Sequence, residues 1–352
     1  MRIAVVSPIW ERVPPPAYGG IEAVVSLLVD GLVHRGHEVT LYATGDSVTT
    51  ARLRSVCPVP LRAANVTNPL PIQLAHVAAV LAEADGFEVV HNHCGELLMP
   101  FSQLLRPPML TTVHGPMEPD CAIVWRTYRG YYNTISNAAR DGFPPDRFLG
   151  VVYNGIEVES FPFSATKDDY LLFLGRISAE KGTHVAIQAA LRLDQRLIVA
   201  GKVDRADQDY FTREVAPLLT DPRITFLGEA DAQQKRQLFA RARCLLHPVG
   251  WPEPFGLVMA EAMACGTPVI AFRRGSIPEV VLDGETGFVV DSLEEMVEAV
   301  RHCHEINPYR CRQWVQERFS VDQMVRGYER IYQQILAGGA VQSSGHSPEG
   351  ES

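Results

Sequence analysis

One pattern, run through twice, constrains this chain most. Short apolar runs of strand length alternate with stretches whose apolar residues recur at helical spacing, first over 3–6, then 21–34, then 39–43. Parallel strands cannot be joined by a tight turn, so this alternation is what a parallel sheet with crossover helices requires. Further strand candidates fall at 88–91, 109–113, 134–136 and 150–152. After Tyr153-Asn154-Gly155-Ile156-Glu157, which reads as a turn, residues 162–169 are largely polar and lack periodicity. The pattern then restarts with strand candidates at 170–174, 197–200, 224–227, 244–247 and 269–271, and helices at 293–304 and 321–336.

The expected fold class is therefore α/β, with two doubly wound Rossmann-like domains facing a cleft. The first domain spans 1–160 and the second 161–336, with the last helix packing back on the first. Residues 337–352, rich in Gly and Ser, form a disordered tail. Ligands of doubly wound sheets bind outside the carboxyl ends of the strands, so motifs that follow strands carry the functional information.

Composition removes several classes. Thirty-two Lys+Arg against 41 Asp+Glu give a net charge of −9 over 352 residues, which argues against nucleic acid as a partner. Seven scattered cysteines contain no Cys-x-x-Cys pair, so they read as reduced thiols rather than a zinc or redox centre. The opening apolar run is cut short by Pro8, and no apolar run reaches about 18 residues, so a cytoplasmic protein is expected. Aromatic and cationic residues mix over 125–132; a half-buried helix is the first reading there, and weak contact with the inner membrane face the second. Lysine is scarce, occurring only as Lys167, Lys181, Lys202 and Lys235, so each one carries extra information.

Four places combine reactive residue types with a strand end. Gly19 and Gly20 open a helix, where free N–H groups and the helix dipole favour an anion, although the spacing is not the Gly-x-Gly-x-x-Gly of dinucleotide-binding dehydrogenases. His91 and His93 lie two apart at a strand end, and His114 ends the next strand; His-x-His alone does not make a zinc site, and a histidine bonded to backbone is the plainer reading of His114. Arg176 follows the first strand of the second half and Lys181 opens a helix five residues on. Two such cations would repel one another unless an anion, or a carboxylate such as Glu180, neutralised them, and a diphosphate suits the spacing. The most informative segment is Glu253-Pro254-Phe255-Gly256-Leu257-Val258-Met259-Ala260-Glu261. Pro252 and Pro254 keep Glu253 out of the helix that Gly256 opens, Gly266 suits its C-cap, and Leu257, Val258, Ala260, Met263 and Ala264 form the face expected to pack on the sheet.

Glu253 to Glu261 resembles the Glu-x7-Glu motif of retaining, nucleotide-sugar-dependent glycosyltransferases of family 4, in the GT-B superfamily. Supporting signals follow in family order: Tyr18-Gly19-Gly20-Ile21-Glu22, Thr112-Val113-His114-Gly115, Asn154-Gly155-Ile156, Gly175-Arg176 with Glu180-Lys181-Gly182, and Pro278-Glu279 with Asp283-Gly284-Glu285-Thr286-Gly287. One departure is Arg274-Gly275-Ser276, where relatives carry paired glycines. The resemblance implies that Glu253, His114, Arg176 and Lys181 serve catalysis. It also implies that Gly19, Gly20, Arg176, Lys181, Glu253, Phe255, Gly256, Leu257 and Glu261 bind the donor, with Arg176 and Lys181 on the diphosphate and Glu261 on the ribose. No metal or other cofactor is expected, and a UDP-hexose is the donor expected first. The resemblance also makes 1–160 the acceptor-side domain and 161–336 the nucleotide-sugar donor domain, with transfer going with retention to an unidentified acceptor hydroxyl. The competing readings are a GT-B-fold sugar-nucleotide epimerase and a non-catalytic paralogue that binds a nucleotide sugar.

Overall fold

The computed structural model describes residues 1–16 and 19–343. Tyr18 and residues 344–352 of the expected tail therefore lie outside the described residues. The chain forms two units, one of residues 1–135, 140–155 and 321 onward, the other of residues 136–139 and 156–320.

The first unit is built on seven parallel strands: β1 (Arg2–Val6), β2 (Glu38–Tyr42), β3 (Arg52–Arg54), β4 (Val89–Asn92), β5 (Met109–Val113), β6 (Tyr131–Thr134) and β7 (Phe148–Val151). Their order is β3-β2-β1-β4-β5-β6-β7, so the direction of winding reverses between β1 and β4. Helices α1 (Gly20–His34), α2 (Leu70–Glu83) and α3 (Ala122–Thr127) belong to this unit. The C-terminal helix Val321–Ser343 does too, burying Met324, Val325, Tyr328, Tyr332 and Ile335 and holding Arg35 through Glu329 at 2.8 Å. Backbone helix thus runs past residue 337, where the tail was expected to begin.

Two expectations change here. The strand expected at 134–136 lies at Tyr131–Thr134; polar Asn133 hid it, yet Asn133 is fully buried because Thr112 and the Thr134 carbonyl satisfy its amide. The membrane-contact reading of 125–132 loses three of its four aromatics. Trp125, Tyr128 and Tyr132 pack edge-to-face in the unit's core with Phe143, while Arg126, Thr127 and Arg129 are exposed and Tyr131 is half-buried. Among the described residues no helix is long and apolar enough to cross a membrane.

The second unit has six parallel strands: β8 (Leu171–Leu174), β9 (Leu197–Ala200), β10 (Ile224–Gly228), β11 (Cys244–His247), β12 (Val269–Phe272) and β13 (Gly287–Val290). Their order, β10-β9-β8-β11-β12-β13, reverses between β8 and β11. Its helices are α4 (Thr183–Arg192), α5 (Gln208–Tyr210), α6 (Ala232–Arg241), α7 (Leu257–Ala264), α8 (Ile277–Val280), α9 (Leu293–His302) and α10 (Pro308–Arg318). Both strands and helices feed a core of Leu171, Phe173, Ile187, Leu197, Leu246, Ile270 and Met296. The short charged β3 had no apolar run to announce it, and the run in glycine-led β13 is only Phe288-Val289-Val290.

α7 also corrects its expected packing. Met259 to Ala264 are buried without exception, while Leu257 and Val258 at the helix start are only half-buried. The reason is that α10 covers the side of α7 away from the sheet, so the helix has no wet face to leave polar.

Candidate functional site

Each reversal point leaves a crevice at the carboxyl ends of two neighbouring strands, and the chemistry-bearing residues gather at these two places. In the second unit β8 runs into Gly175 and Arg176, and β11 runs through His247 and Trp251 to Glu253. Glu253 is held from three sides. Its carbonyl oxygen accepts from the Ser276 amide at 2.8 Å, its carboxylate Oε2 accepts from Lys181 Nζ at 2.5 Å, and the same oxygen accepts from Trp251 Nε1 at 3.1 Å. Lys181 in turn sits 4.9 Å from the centre of the Trp251 ring, within cation–π range.

Two glycines make this approach possible. Gly275 has φ +55°, and a Cβ there would lie 2.3 Å from the Glu253 carbonyl oxygen. Only that position of the Arg274-Gly275-Ser276 departure must be glycine, since Arg274 is exposed and donates to the neighbouring Arg273 carbonyl. Gly256, with φ +77°, is the N-cap of α7 and offers no side chain to cap it, so the first amides of α7 remain available to a ligand.

Burial alone would raise the Glu253 pKa, but His247 and Lys181 outweigh it and hold the group down at about 2. His247 Nε2 lies 3.6 Å from Glu253 Oε2, and burial pushes the His247 pKa below its usual range. At neutral pH Lys181 is therefore the standing counter-charge to an ionised, buried carboxylate.

Arg176 bonds Glu180 through Nη2 and lies 3.8 Å from Asp207, whose own pKa is raised by burial. The expected mutual repulsion of Arg176 and Lys181 is thus relieved by carboxylates: Glu180 and Asp207 for one, Glu253 for the other. Glu261, on α7, takes a bond of 2.6 Å from Lys235 on one oxygen, while its other oxygen is buried without a partner among the described residues. Ser178 Oγ and Ser276 Oγ, in the segments beside Arg176 and Glu253, are likewise buried and without a partner among the described residues. Such atoms are uncommon in a finished core and are what a polar ligand would satisfy.

Phe255 belongs elsewhere. Its ring is 2 % exposed and stands edge-on to Phe319 at 5.5 Å, so the ring anchors the loop. Glu279 is an anchor too, accepting from the amides of Asn137 and Ala138 at 2.8 Å each, while Ser136 Oγ donates to the Pro254 carbonyl at 2.7 Å. Trp251, His247, Asp207 and Lys235 were not read from the sequence as site residues. The scarcity of lysine was the one signal available for Lys235.

Gly19, Gly20 and His114 belong to the first unit. Gly19 and Gly20 edge a cavity at the start of α1 that His93 also lines. His114 ends a chain of hydrogen bonds whose direction can be worked out. Thr112 Oγ1 donates to Asn133 at 2.8 Å, so it has no proton left for His91, and His91 Nε2 must donate to it at 2.7 Å. His91 Nδ1 then accepts from Tyr332 at 2.6 Å and from His93 Nε2 at 3.3 Å. His93 Nδ1 is left as acceptor, so His114 Nε2 donates to it at 2.8 Å, and His114 Nδ1 is an unprotonated acceptor. Burial holds all three rings neutral, pushing His91 and His93 well below the usual histidine range and His114 down to about 4. Among the described residues no group of His, Cys, Asp and Glu is arranged to hold a metal ion.

Comparison with known proteins gives the family and the fold. The family model described as Glycosyltransferase Family 4 matches residues 18–160, and that described as Glycosyl transferases group 1 matches residues 157–317. The N-acetyl-alpha-D-glucosaminyl L-malate synthase of Bacillus anthracis is 25% identical, over 91% of this chain and 95% of its own. Among solved structures, AviGT4, a glycosyltransferase involved in avilamycin A biosynthesis, superposes with a TM-score of 0.74 at 25% identity, covering 96% of this chain and 98% of its own. Anabaena Alr3699/HepE, solved with UDP and glucose, superposes with the same TM-score of 0.74 at 18% identity, over 95% of this chain and 100% of its own.

Proposed function

The chain belongs to glycosyltransferase family 4, with the GT-B fold and a nucleotide sugar as donor, and from that premise we propose that it moves a hexosyl group with retention, without a metal ion. The observation that carries this reading is Glu253: a carboxylate buried, ionised and fixed by Lys181 and Trp251 beside the open start of α7.

In this reading Glu253 accepts hydrogen bonds from the hydroxyls of the donor sugar, and the amides of Gly256 and Leu257 meet the distal phosphate. Arg176 exchanges Glu180 for the diphosphate, and Lys181 bridges the diphosphate and Glu253. These donors are fixed before the reaction, so they stabilise the charge that grows on the departing nucleoside diphosphate, the part a divalent ion plays in other transferases. Glu261 takes a ribose hydroxyl on the oxygen left without a partner. His114, an acceptor at Nδ1, takes a hydroxyl of the donor sugar. Because Glu253 spends its charge on Lys181, it is poorly suited to act as a nucleophile. Attack from the face of the leaving group, with the departing phosphate accepting the acceptor's proton, fits better than double displacement.

UDP is the nucleotide to test first, since Anabaena Alr3699/HepE was solved with it. All seven cysteines are free thiols, which supports a reducing, cytoplasmic setting. Thermal shift with UDP, GDP and ADP, followed by anomeric analysis of the transfer product by NMR, tests the reading. An inverted product, or transfer that Glu253→Gln leaves intact, would sink it.

A further inference from the structure

The first unit holds a cavity whose side chains the donor chemistry leaves unused. It encloses about 410 Å3 at the carboxyl ends of β1 and β4, within the range of roughly 300–1,000 Å3 common for small-molecule sites. The segment after β1 lines it with Trp10 and Glu11, α1 with Glu22, and α2 with Gln73 and His76. The wall is fixed in place. The amides of Leu61 and Arg62 donate to the carbonyls of Ile9 and Trp10 at 3.0 and 3.4 Å, over a small apolar cluster of Ile9, Cys57 and Leu61.

Three properties of this lining describe its ligand. Trp10 is 39% exposed, an apolar plane set among polar groups, which is the surface that takes the C–H face of a sugar ring while its hydroxyls bond sideways. His76 is 1% exposed. Its Nε2 lies 3.1 Å from the Ser7 carbonyl oxygen, which can only accept, so the proton sits there and Nδ1 is a bare acceptor with no partner among the described residues. Last, among the described lining residues Glu11 and Glu22 face one cation, Arg62, already bonded to Glu11 at 3.1 Å. Glu22, 6% exposed, is pushed up to about 6, chiefly by burial. His76 and the two glutamates welcome hydroxyl donors, and away from the first amides of α1 a carboxylate or phosphate would meet a bare acceptor and, among the described residues, a negative balance.

Resting on the transferase reading above, we infer that this cavity holds the acceptor, and that the end it receives is an uncharged polyhydroxylated ring of the sugar or cyclitol type. The acceptor would then differ in charge from a dicarboxylate such as malate.

The test needs no turnover. Methyl α-glucoside, methyl α-mannoside and myo-inositol are titrated by calorimetry against the full chain, each beside its phosphate ester, with UDP titrated in parallel to report the second unit. At least one neutral ring is expected to bind, with its ester at least tenfold weaker. Trp10→Ala and His76→Phe should each weaken the ring at least tenfold and leave UDP affinity unchanged, which also certifies that the variants fold. Glu22→Gln should narrow the gap between ring and ester at least threefold. Octyl glucoside below its micellar concentration, compared with methyl glucoside, separates the tip of a lipid-linked glycan from a free saccharide. Esters that bind as well as their parents, indifference to Trp10→Ala, or UDP binding with no ring bound at 100 mM would each overturn the inference. Ring binding without UDP binding would instead overturn the donor assignment and leave this one standing.

Discussion

The two units solve the same topological problem with opposite chemistry. At the reversal between β8 and β11 the crevice is lined with full charges in contact: Lys181 on Glu253, Arg176 on Glu180 and Asp207. At the reversal between β1 and β4 the deepest groups are neutral imidazoles, hydroxyls and an amide, with bonds from Tyr332 on one side and from His114 through His93 on the other converging on His91. Fixed charges suit a diphosphate, whose own charge changes as its bond to sugar breaks. A neutral acceptor chain suits hydroxyls, which must be oriented without being ionised. The shared fold supplies the place, and side chains decide the ligand.

The largest test of this contrast is Glu253→Gln. Transfer is expected to fall on the order of 10²–10³-fold, with UDP binding nearly intact, because the amide keeps the shape and loses the charge. Measuring kcat with donor saturated decides it; an undiminished kcat would make the charged crevice structural.

Next come Arg176→Ala and Lys181→Ala. Each should cost on the order of 2–4 kcal/mol of transition-state stabilisation, and the double variant should depart from additivity because both act on one diphosphate. Near-parental kcat/KM in both single variants would leave these cations as partners of Glu180 and Glu253 only.

Glu22→Gln probes the other crevice through pH. A carboxyl raised from 4.5 to about 6 in the native state binds more protons there than in the unfolded chain, so its presence lowers stability as pH rises between those values. The variant should be more stable than the parent by about 1–2 kcal/mol at pH 8 and match it near pH 4. Equal stability at both pH values would mean that Glu22 is solvated.

Tyr332→Phe should cost about 1 kcal/mol in urea denaturation, since His91 keeps its second donor, His93. In the parent, 15N shifts should find His114 unprotonated at Nδ1 down to pH 5; titration near 6.5 would break the neutral description. The smallest effect expected is from EDTA. Activity should survive it, and loss restored by magnesium or manganese would mean that the charged crevice is incomplete without a cation.

Much of this was legible from residue order. Proline on both sides of Glu253 and glycine at 256 dictated a loop followed by a helix start, and β5, β9 and β11 lie where their apolar runs placed them. What stayed hidden depends on partners brought from far along the chain. Lys235 reaches Glu261 across 26 positions and Lys181 reaches Glu253 across 72, and no local pattern encodes such pairs. Lysine's rarity was the only hint. Two of the four lysines hold the two glutamates of the motif, and a third, Lys167, donates to the carbonyls of Ala240 and Cys265 and to Thr267. Phe255 shows the converse, since proximity in sequence to Glu253 said nothing of which way its ring would turn.

The C-terminal helix Val321–Ser343 gives the first unit a problem of timing. Synthesis delivers β1 to β7 early, but Tyr328 and Tyr332, which close over His91, arrive only after the whole second unit has been made. A nascent chain therefore carries an unfinished first unit, with a seat for Met324, Val325, Tyr328, Tyr332 and Ile335 standing open. Long sequence separation makes that closing step slow, and apolar surface left open meanwhile is what chaperones bind. The helix thus acts as a completion mark: a chain cut short before residue 321 would leave the first unit without its final layer.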